Sequence, residues 1–297
     1  MKYKTMKMPT NKVRDIHQHY AALLSKLYGD AEAKTMVWIL LQHYFHLSRI
    51  DVALDPEIRL NESEMLQIHF AIDRMLQHEP LQYVTERAEF LGRSFMVNRH
   101  VLIPRQETEQ LVMMAADWMN QHAPAGRLLD VGTGSGCIAV SLAINCDQSR
   151  VDAIDLSEEA LQVAKTNATV SAAMVNFFNM DMHQLLPPVS ETQYDLIVSN
   201  PPYVTPEDKH LMKPNVLNFE PAMALFANSN DPMQYYRPLC AMAVRQLSPS
   251  GILLLEVNEK YAQTTALLAE SVGLEQVQIH RDLHGKERFV AAVRSSV

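Results

Sequence analysis

From Val13 to Pro80 apolar residues recur at helical spacing. Val13, Ile16, Tyr20, Leu23, Leu24 and Leu27 fall on one face of a 3.6-residue period. Gly29 interrupts this pattern, and Asp30 stands where it can cap a second helix. The apolar face of that helix is Ala33, Met36, Val37, Leu40, Leu41 and Tyr44. A third helix is predicted from Asn61, with Glu64 in capping-box position and Met65, Ile68, Ile72, Met75 and Leu76 facing inward. Pro80 ends it. The pattern predicts a helical bundle as a first domain, residues 1–80.

The pattern changes at Leu81. Phe90, Phe95, Val97, Val101 and Ile103 sit among Gly92 and Asn98, which suggests a short β-hairpin and a linker over residues 81–104. After Pro104 apolar strand segments alternate with helical ones. The strand segments are Arg127–Val131, Val151–Asp155, Val175–Asn179, Tyr194–Asn200, Gly251–Val257, Val277–Arg281 and Arg288–Val293. Such alternation predicts a mainly parallel sheet covered on both faces, filling a second domain over residues 105–297. The last two segments are joined by a short connection containing Gly285. A parallel crossover needs a dozen or more residues, so the final strand should run antiparallel. An α/β, Rossmann-like sheet of seven strands with its last strand reversed is the arrangement of class I methyltransferases.

Composition narrows the setting. A length of 297 residues suits one large or two medium domains, and 47% hydrophobic with 20% charged residues is the balance of a globular enzyme. The formal net charge of −8 lacks the basic footprint of a nucleic-acid binder, so no stable nucleic-acid binding is expected. No apolar run approaches the roughly 20 residues that span a bilayer. Cys137, Cys146 and Cys240 are scattered and odd in number, which favours a reducing cytoplasm over a disulfide framework. His17, His19 and His43 have no metal-ligand spacing, and no metal is expected.

The candidate chemistry begins where the first sheet strand ends. Leu128-Leu129-Asp130-Val131 runs into Gly132-Thr133-Gly134-Ser135-Gly136, followed by a helix from Cys137. Glycines allow a tight turn and close approach of a ligand to the backbone, and the helix start presents free N–H groups. The next strand ends in Asp155, placed to accept the two hydroxyls of a ribose. Asp181 follows the third strand and can meet an adenine edge. NAD and S-adenosyl-L-methionine both contain adenosine. The third glycine of a dinucleotide fingerprint would fall at Cys137, so that motif is absent.

The fourth strand leads directly into Asn200-Pro201-Pro202-Tyr203. Proline lacks an N–H and drives its predecessor extended, so Asn200 is held at the mouth of the sheet. A planar –NH2 group needs such a place. Its lone pair is delocalised, and two acceptors on its hydrogens, the Asn200 side-chain oxygen and a backbone carbonyl, orient it and favour developing positive charge. Tyr203 is expected to stack on the amide or base plane. An adenine-N6 DNA or RNA methyltransferase could use the same four residues, but it needs a basic recognition region that this chain lacks. A non-catalytic binding module would not need the Asn200 to Tyr203 segment.

Several blocks together resemble the release factor glutamine methyltransferases (PrmC or HemK) over nearly the whole chain. Val101-Leu102-Ile103-Pro104-Arg105-Gln106-Glu107-Thr108-Glu109 is similar to the family's V-L-I-P-R-P-E-T-E. The glycine loop, Asp155 and Asn200 to Tyr203 follow in order, then Phe219-Glu220-Pro221 with Ala224-Leu225, then Asp282 to Arg288 as D-x-x-G-x-x-R. The resemblance implies methylation of the glutamine of the Gly-Gly-Gln motif in bacterial class 1 peptide chain release factors. The donor would be S-adenosyl-L-methionine and the product S-adenosyl-L-homocysteine. It also implies a substrate-docking role for the helical domain. Gly132 to Gly136, Asp155, Asp181 and Met182 would hold the cofactor. Asn200 would serve cofactor and substrate, and Pro201, Pro202 and Tyr203 the glutamine. Gln106, Thr85 and Asn258 depart from the family pattern and put local loop geometry in question.

Overall fold

The computed structural model describes residues 10–205, 209–210, 212–227 and 231–295. The chain packs as two units, residues 1–86 and 87–297.

The first unit is helical. Helix α1 (Val13–Tyr28) buries Val13, Ile16, Tyr20 and Leu24, and α2 (Asp30–Phe45) buries Ala33, Val37, Leu40 and Leu41. Asp30 is the first residue of α2 rather than its cap; Gly29, at φ 80°, holds the cap position without a side-chain bond. An acid there still faces the positive end of the helix dipole. A short helix α3 (Arg49–Leu54), not expected from the apolar period, starts in a capping box between Ser48 and Asp51. Helix α4 (Glu62–Leu76) has the expected reciprocal cap: Glu64 N–H donates to Asn61 Oδ1 at 3.0 Å, and Asn61 N–H donates to Glu64 Oε2 at 2.8 Å.

Residues expected in a linker form helix α5 (Leu81–Thr85) and belong to this unit. The Arg74 guanidinium binds Glu79 through two 2.8 Å hydrogen bonds and donates to the Tyr83 carbonyl at 3.1 Å. Tyr44 Oη donates to the Val84 carbonyl at 3.1 Å. Val84 is buried with Ile16, Leu40, Leu41, Ile68 and Ile72.

The hairpin, β1 (Arg87–Phe90) and β2 (Arg93–Met96), likewise proves to be part of a domain, the second one. Leu91 and Gly92 have φ of 49° and 69°, the paired positive values of a type I′ turn. Phe90 and Phe95 are buried edge to face, with ring centroids 5.9 Å apart.

The sheet strands are β3 (Arg127–Val131), β4 (Arg150–Asp155), β5 (Val175–Asn179), β6 (Tyr194–Ser199), β7 (Leu247–Glu256), β8 (Leu274–Arg281) and β9 (Glu287–Arg294). Their order is β5-β4-β3-β6-β7-β9-β8. Neighbours from β5 to β7 are parallel, and β9 is antiparallel to both β7 and β8. This is the expected sheet with a reversed last strand. Helices α6 (Gln106–His122), α7 (Cys137–Asn145) and α8 (Glu158–Val170) share one apolar layer with Phe90 and Phe95. After α9 (Pro214–Phe219) and α10 (Ala222–Leu225), helices α11 (Tyr236–Gln246) and α12 (Ala262–Ser271) form the other. Leu128, Leu196 and Leu254 face the first layer; Leu129, Ile197 and Leu253 face the second. Both faces are covered, so the strands read as continuous apolar runs. Between β4 and β6 lies β3, from which the chain order runs outward in both directions. Ligand crevices open at the carboxyl ends of strands at such a point.

Candidate active site

The loop after β3 is fastened to β4. Gly132 and Thr133 N–H both donate to the Ile154 carbonyl, at 2.9 and 3.0 Å. Gly134 N–H donates to Asp155 Oδ2 at 2.8 Å, while Ser157 N–H donates to Asp155 Oδ1 at 2.9 Å. Gly136 ends the loop at φ +79°, and a Cβ there would stand 3.0 Å from the Ala164 Cβ of α8. The third glycine is thus needed for helix packing as well as for backbone conformation. Asn167 of α8 donates to the Ser135 carbonyl at 2.8 Å and to the Met96 carbonyl at 2.9 Å, and accepts from Met96 N–H at 2.7 Å.

Burial raises the Asp155 pKa, opposed by the amides of Ser157 and Gly134. A carboxylate has about four lone-pair directions, so these two amides leave capacity for further donors. Beneath the loop, fully buried Asp130 accepts from Thr133 Oγ1 at 2.6 Å and Ala139 N–H at 3.2 Å. Among the described residues its Oδ1 has no partner. Burial pushes Asp130 up to about 7, against the two hydrogen bonds. In the sequence Asp130 is marked only as an acid inside an apolar strand.

The glycine loop and Asp155 open on a cavity of about 480 Å³, within the range of small-molecule sites. Gly132, Thr133, Gly134, Ser135, Asp155, Asp181, Met182, Asn200 and Pro202 all line it. Gly136, Pro201 and Tyr203 are not among its lining residues. Pro201 is buried, and Tyr203 packs against the apolar layer of α11 and α12. The Tyr203 hydroxyl lies 3.4 Å from Glu256 Oε1. The ring is thus anchored by its hydroxyl and by the apolar layer next to Pro202, which itself lines the cavity. Tyr235 also lines the cavity, with its ring 6.4 Å from that of His183. It supplies an aromatic face on the side where Met182 contributes only a thioether.

From Asn200 a chain of polar groups runs through Thr108, which also lines the cavity, to the buried Glu256. Asn200 Nδ2 donates to Thr108 Oγ1 at 3.1 Å, and Thr108 Oγ1 donates to Glu256 Oε2 at 2.7 Å. Burial pushes Glu256 up to about 7, opposed by the Thr108 hydrogen bond and the Arg288 charge. Arg288 is held by Asp282 Oδ2 at 3.4 Å and the Val257 carbonyl at 3.3 Å. Asp282 Oδ1 accepts from the His284 and Lys286 amides, at 2.9 and 3.0 Å, which shapes the turn. The closing D-x-x-G-x-x-R block is thus a turn that fixes Arg288, whose charge is felt at Glu256.

Arg105, Thr108 and Glu109 each make a bond that ties this block to a distant part of the unit. Arg105 Nη2 donates to both oxygens of buried Glu220, at 2.7 and 2.8 Å, joining it to the Phe219-Glu220-Pro221 block. Thr108 makes the link to Glu256, and Glu109 Oε1 accepts from Leu91 N–H at 2.8 Å in the hairpin turn. Gln106 is exposed as the first residue of α6, where proline is favoured but not required. Asn258 has φ −66° and caps a short turn through Lys260 N–H, so no glycine is needed there. Thr85 is buried at the end of α5, its hydroxyl on the Leu81 carbonyl at 3.0 Å.

Among the described residues no group of three or more His, Cys, Asp or Glu side chains could hold a metal ion. Nor is any described helix long and apolar enough to cross a membrane.

Two family models match the chain: the PrmC N-terminal domain over residues 15–85 and the methyltransferase small domain over residues 111–218. A release factor glutamine methyltransferase of Bacteroides thetaiotaomicron is 38% identical over 91% of this chain and 96% of the relative. One of Flavobacterium psychrophilum is 33% identical over 94% of this chain and 98% of the relative. Among solved structures, the hMettl16 catalytic domain in complex with MAT2A 3'UTR hairpin 1 superposes with a TM-score of 0.56 at 16% identity. That match covers 82% of this chain and 85% of the other, and shows a shared fold. With the relatives matched nearly end to end, the chain belongs to the release factor glutamine methyltransferase family.

Proposed function

We propose that the chain methylates the side-chain amide nitrogen of the glutamine in the Gly-Gly-Gln motif of bacterial class 1 peptide chain release factors, in the cytoplasm. The observation that carries this reading is that Asn200, set before two prolines, opens on the same cavity as the glycine loop and Asp155. Asp155 would accept the ribose hydroxyls of S-adenosyl-L-methionine, and the loop amides would approach its amino-acid end. Asp181, Met182 and Tyr235 would bound the adenine. When bound, the cofactor supplies a methyl group already activated on a sulfonium.

The rest of the work is positional. The glutamine nitrogen is a poor nucleophile because its lone pair is shared with its carbonyl. Asn200 Oδ1 and a backbone carbonyl of the Asn200–Pro202 segment would accept its two hydrogens. That turns the nitrogen toward the methyl carbon and favours the charge that grows on it as the C–N bond forms and the C–S bond breaks. The nitrogen then releases one proton to water, which leaves the neutral N-methyl amide and the neutral thioether. Such fixed orientation can contribute roughly 7–11 kcal/mol. The helical unit would engage the protein substrate, and an acidic chain is not expected to bind nucleic acid stably.

The test is methyl transfer from labelled S-adenosyl-L-methionine to purified release factor, with the modified residue located by mass spectrometry. Label on the Gly-Gly-Gln glutamine, lost by about 10²–10³ in kcat on Asn200→Ala, is expected. Label only on adenine of an added nucleic acid, or wild-type turnover by Asn200→Ala, would overturn the reading.

A further inference from the structure

An asparagine amide has two nearly isosteric ends, and only one serves here. If Nδ2 faced the substrate, its N–H groups would oppose those of the glutamine –NH2, donor against donor. The polar chain that starts at Thr108, beside Asn200 in the cavity wall, decides which end is turned away from it. Glu256 lies at the carboxyl end of β7, the strand beside β6, and its side chain is buried. A carboxylate only accepts hydrogen bonds, and a hydroxyl has a single proton to give. Thr108, 2.7 Å from Glu256 Oε2, spends that proton on the carboxylate. Toward Asn200, 3.1 Å away, Thr108 can then only accept. The amide must present Nδ2 to Thr108, which turns Oδ1 away from it. Burial favours a protonated Glu256 and the Arg288 charge opposes it; with the proton absent, or carried on Oε1, Oε2 still accepts from Thr108.

We propose that Thr108, itself held by Glu256, is a positioning residue that locks the Asn200 amide with its carbonyl end toward the reacting nitrogen. The proposal rests on the reading of Asn200 as acceptor for that nitrogen. Glu256 and Thr108 take no part in bond making; they act through the orientation of one side chain.

The experiment is steady-state methylation of release factor by the full chain, with four variants. Thr108→Val keeps the shape and removes the hydroxyl; kcat should fall about tenfold or more while KM for release factor stays within about twofold, since the loss is of a transition-state contact. Thr108→Ser keeps the hydroxyl and should restore kcat to within about threefold. The decisive comparison is a double-mutant cycle. In an Asn200→Ala background the amide to be locked is gone, and Thr108→Val should change the residual kcat by less than about twofold. An equal loss in both backgrounds would make Thr108 a merely structural residue and overturn the proposal, as would wild-type kcat in Thr108→Val. If Thr108→Val does not fold, Thr108→Ala takes its place in the same cycle. Wild-type turnover by Asn200→Ala alone would instead sink the acceptor reading, a result separable from failure of the lock.

Discussion

At the scale of single residues, the site's carboxylates differ in what holds them. Asp155 is gripped by the amides of Gly134 and Ser157, so it supports the loop as well as facing the cavity. Asp155→Ala is expected to weaken S-adenosyl-L-methionine binding more than about tenfold, since a charged hydrogen bond is worth about 1.5–3 kcal/mol. Calorimetry showing wild-type affinity in a folded variant would remove the ribose role. Asp130 is a different case, because it is wholly buried and pushed up to about 7. Unfolded, an aspartate titrates near 3.9. Below about pH 4 both states hold the proton and the group contributes nothing. Between about pH 4 and 7 the folded state keeps a proton that the unfolded state has lost. Stability therefore falls as pH rises through that window, by roughly 4 kcal/mol above pH 7. Asp130→Asn removes the charge and keeps an oxygen for Thr133 and Ala139. The gain in unfolding free energy of this variant over wild type should be larger at pH 8 than at pH 5 in urea titrations. The same difference at both pH values would mean that Asp130 does not titrate in this range.

The residues most legible in the sequence were those whose partners are close along the chain. A strand, three spaced glycines and a helix start declare a ligand loop within a dozen positions, and Asp155 follows one strand later. Thr108 and Glu256 carried no such sign, being 148 positions apart and joined only by the fold. Tyr203 was recognised as part of the motif, but the direction of its ring depends on Glu256 and on α11, which local spacing does not reveal.

At the scale of elements, the apolar period located all seven sheet strands, with β7 beginning at Leu247 rather than Gly251. Strands buried on both faces carry a strong, continuous signal. Short helices carry little: α3 has six residues and α5 five, too few to repeat a 3.6-residue pattern. Their signals were polar ones, the Ser48–Asp51 capping box and Pro80 ahead of α5. The hairpin was visible from Phe90, Gly92 and Phe95. Its alternation shows that those rings are buried but not against what, so the sequence alone does not attach the hairpin to the second unit.

At the scale of the whole molecule, the change of pattern near Pro80 marked two units, while the packed boundary lies after Glu86. The six residues between matter to any truncation, since α5 is tied to Arg74 and Tyr44. A chain starting at Arg87 should bind S-adenosyl-L-methionine within about threefold of the full chain. Its KM for whole release factor should rise about tenfold or more, a loss of about 1.4 kcal/mol of contact. A short Gly-Gly-Gln peptide should show little change in KM. Equal KM values for whole factor with and without residues 1–86 would remove the docking role of the helical unit.

The place of β9 between β7 and β8 has a consequence for how the enzyme is made. Within this sheet, the strand that comes last in chain order is an interior one. Until it leaves the ribosome, β7 and β8 have nothing between them, and each presents an open ladder of N–H and C=O groups. Arg288 arrives on that same strand, so Glu256 lacks its counter-charge until then. The nascent chain can assemble its glycine loop early, yet neither the sheet nor the setting of Asn200 is finished before β9 is inserted. Premature termination upstream of Glu287 should therefore yield an aggregation-prone open sheet rather than a slightly weakened enzyme.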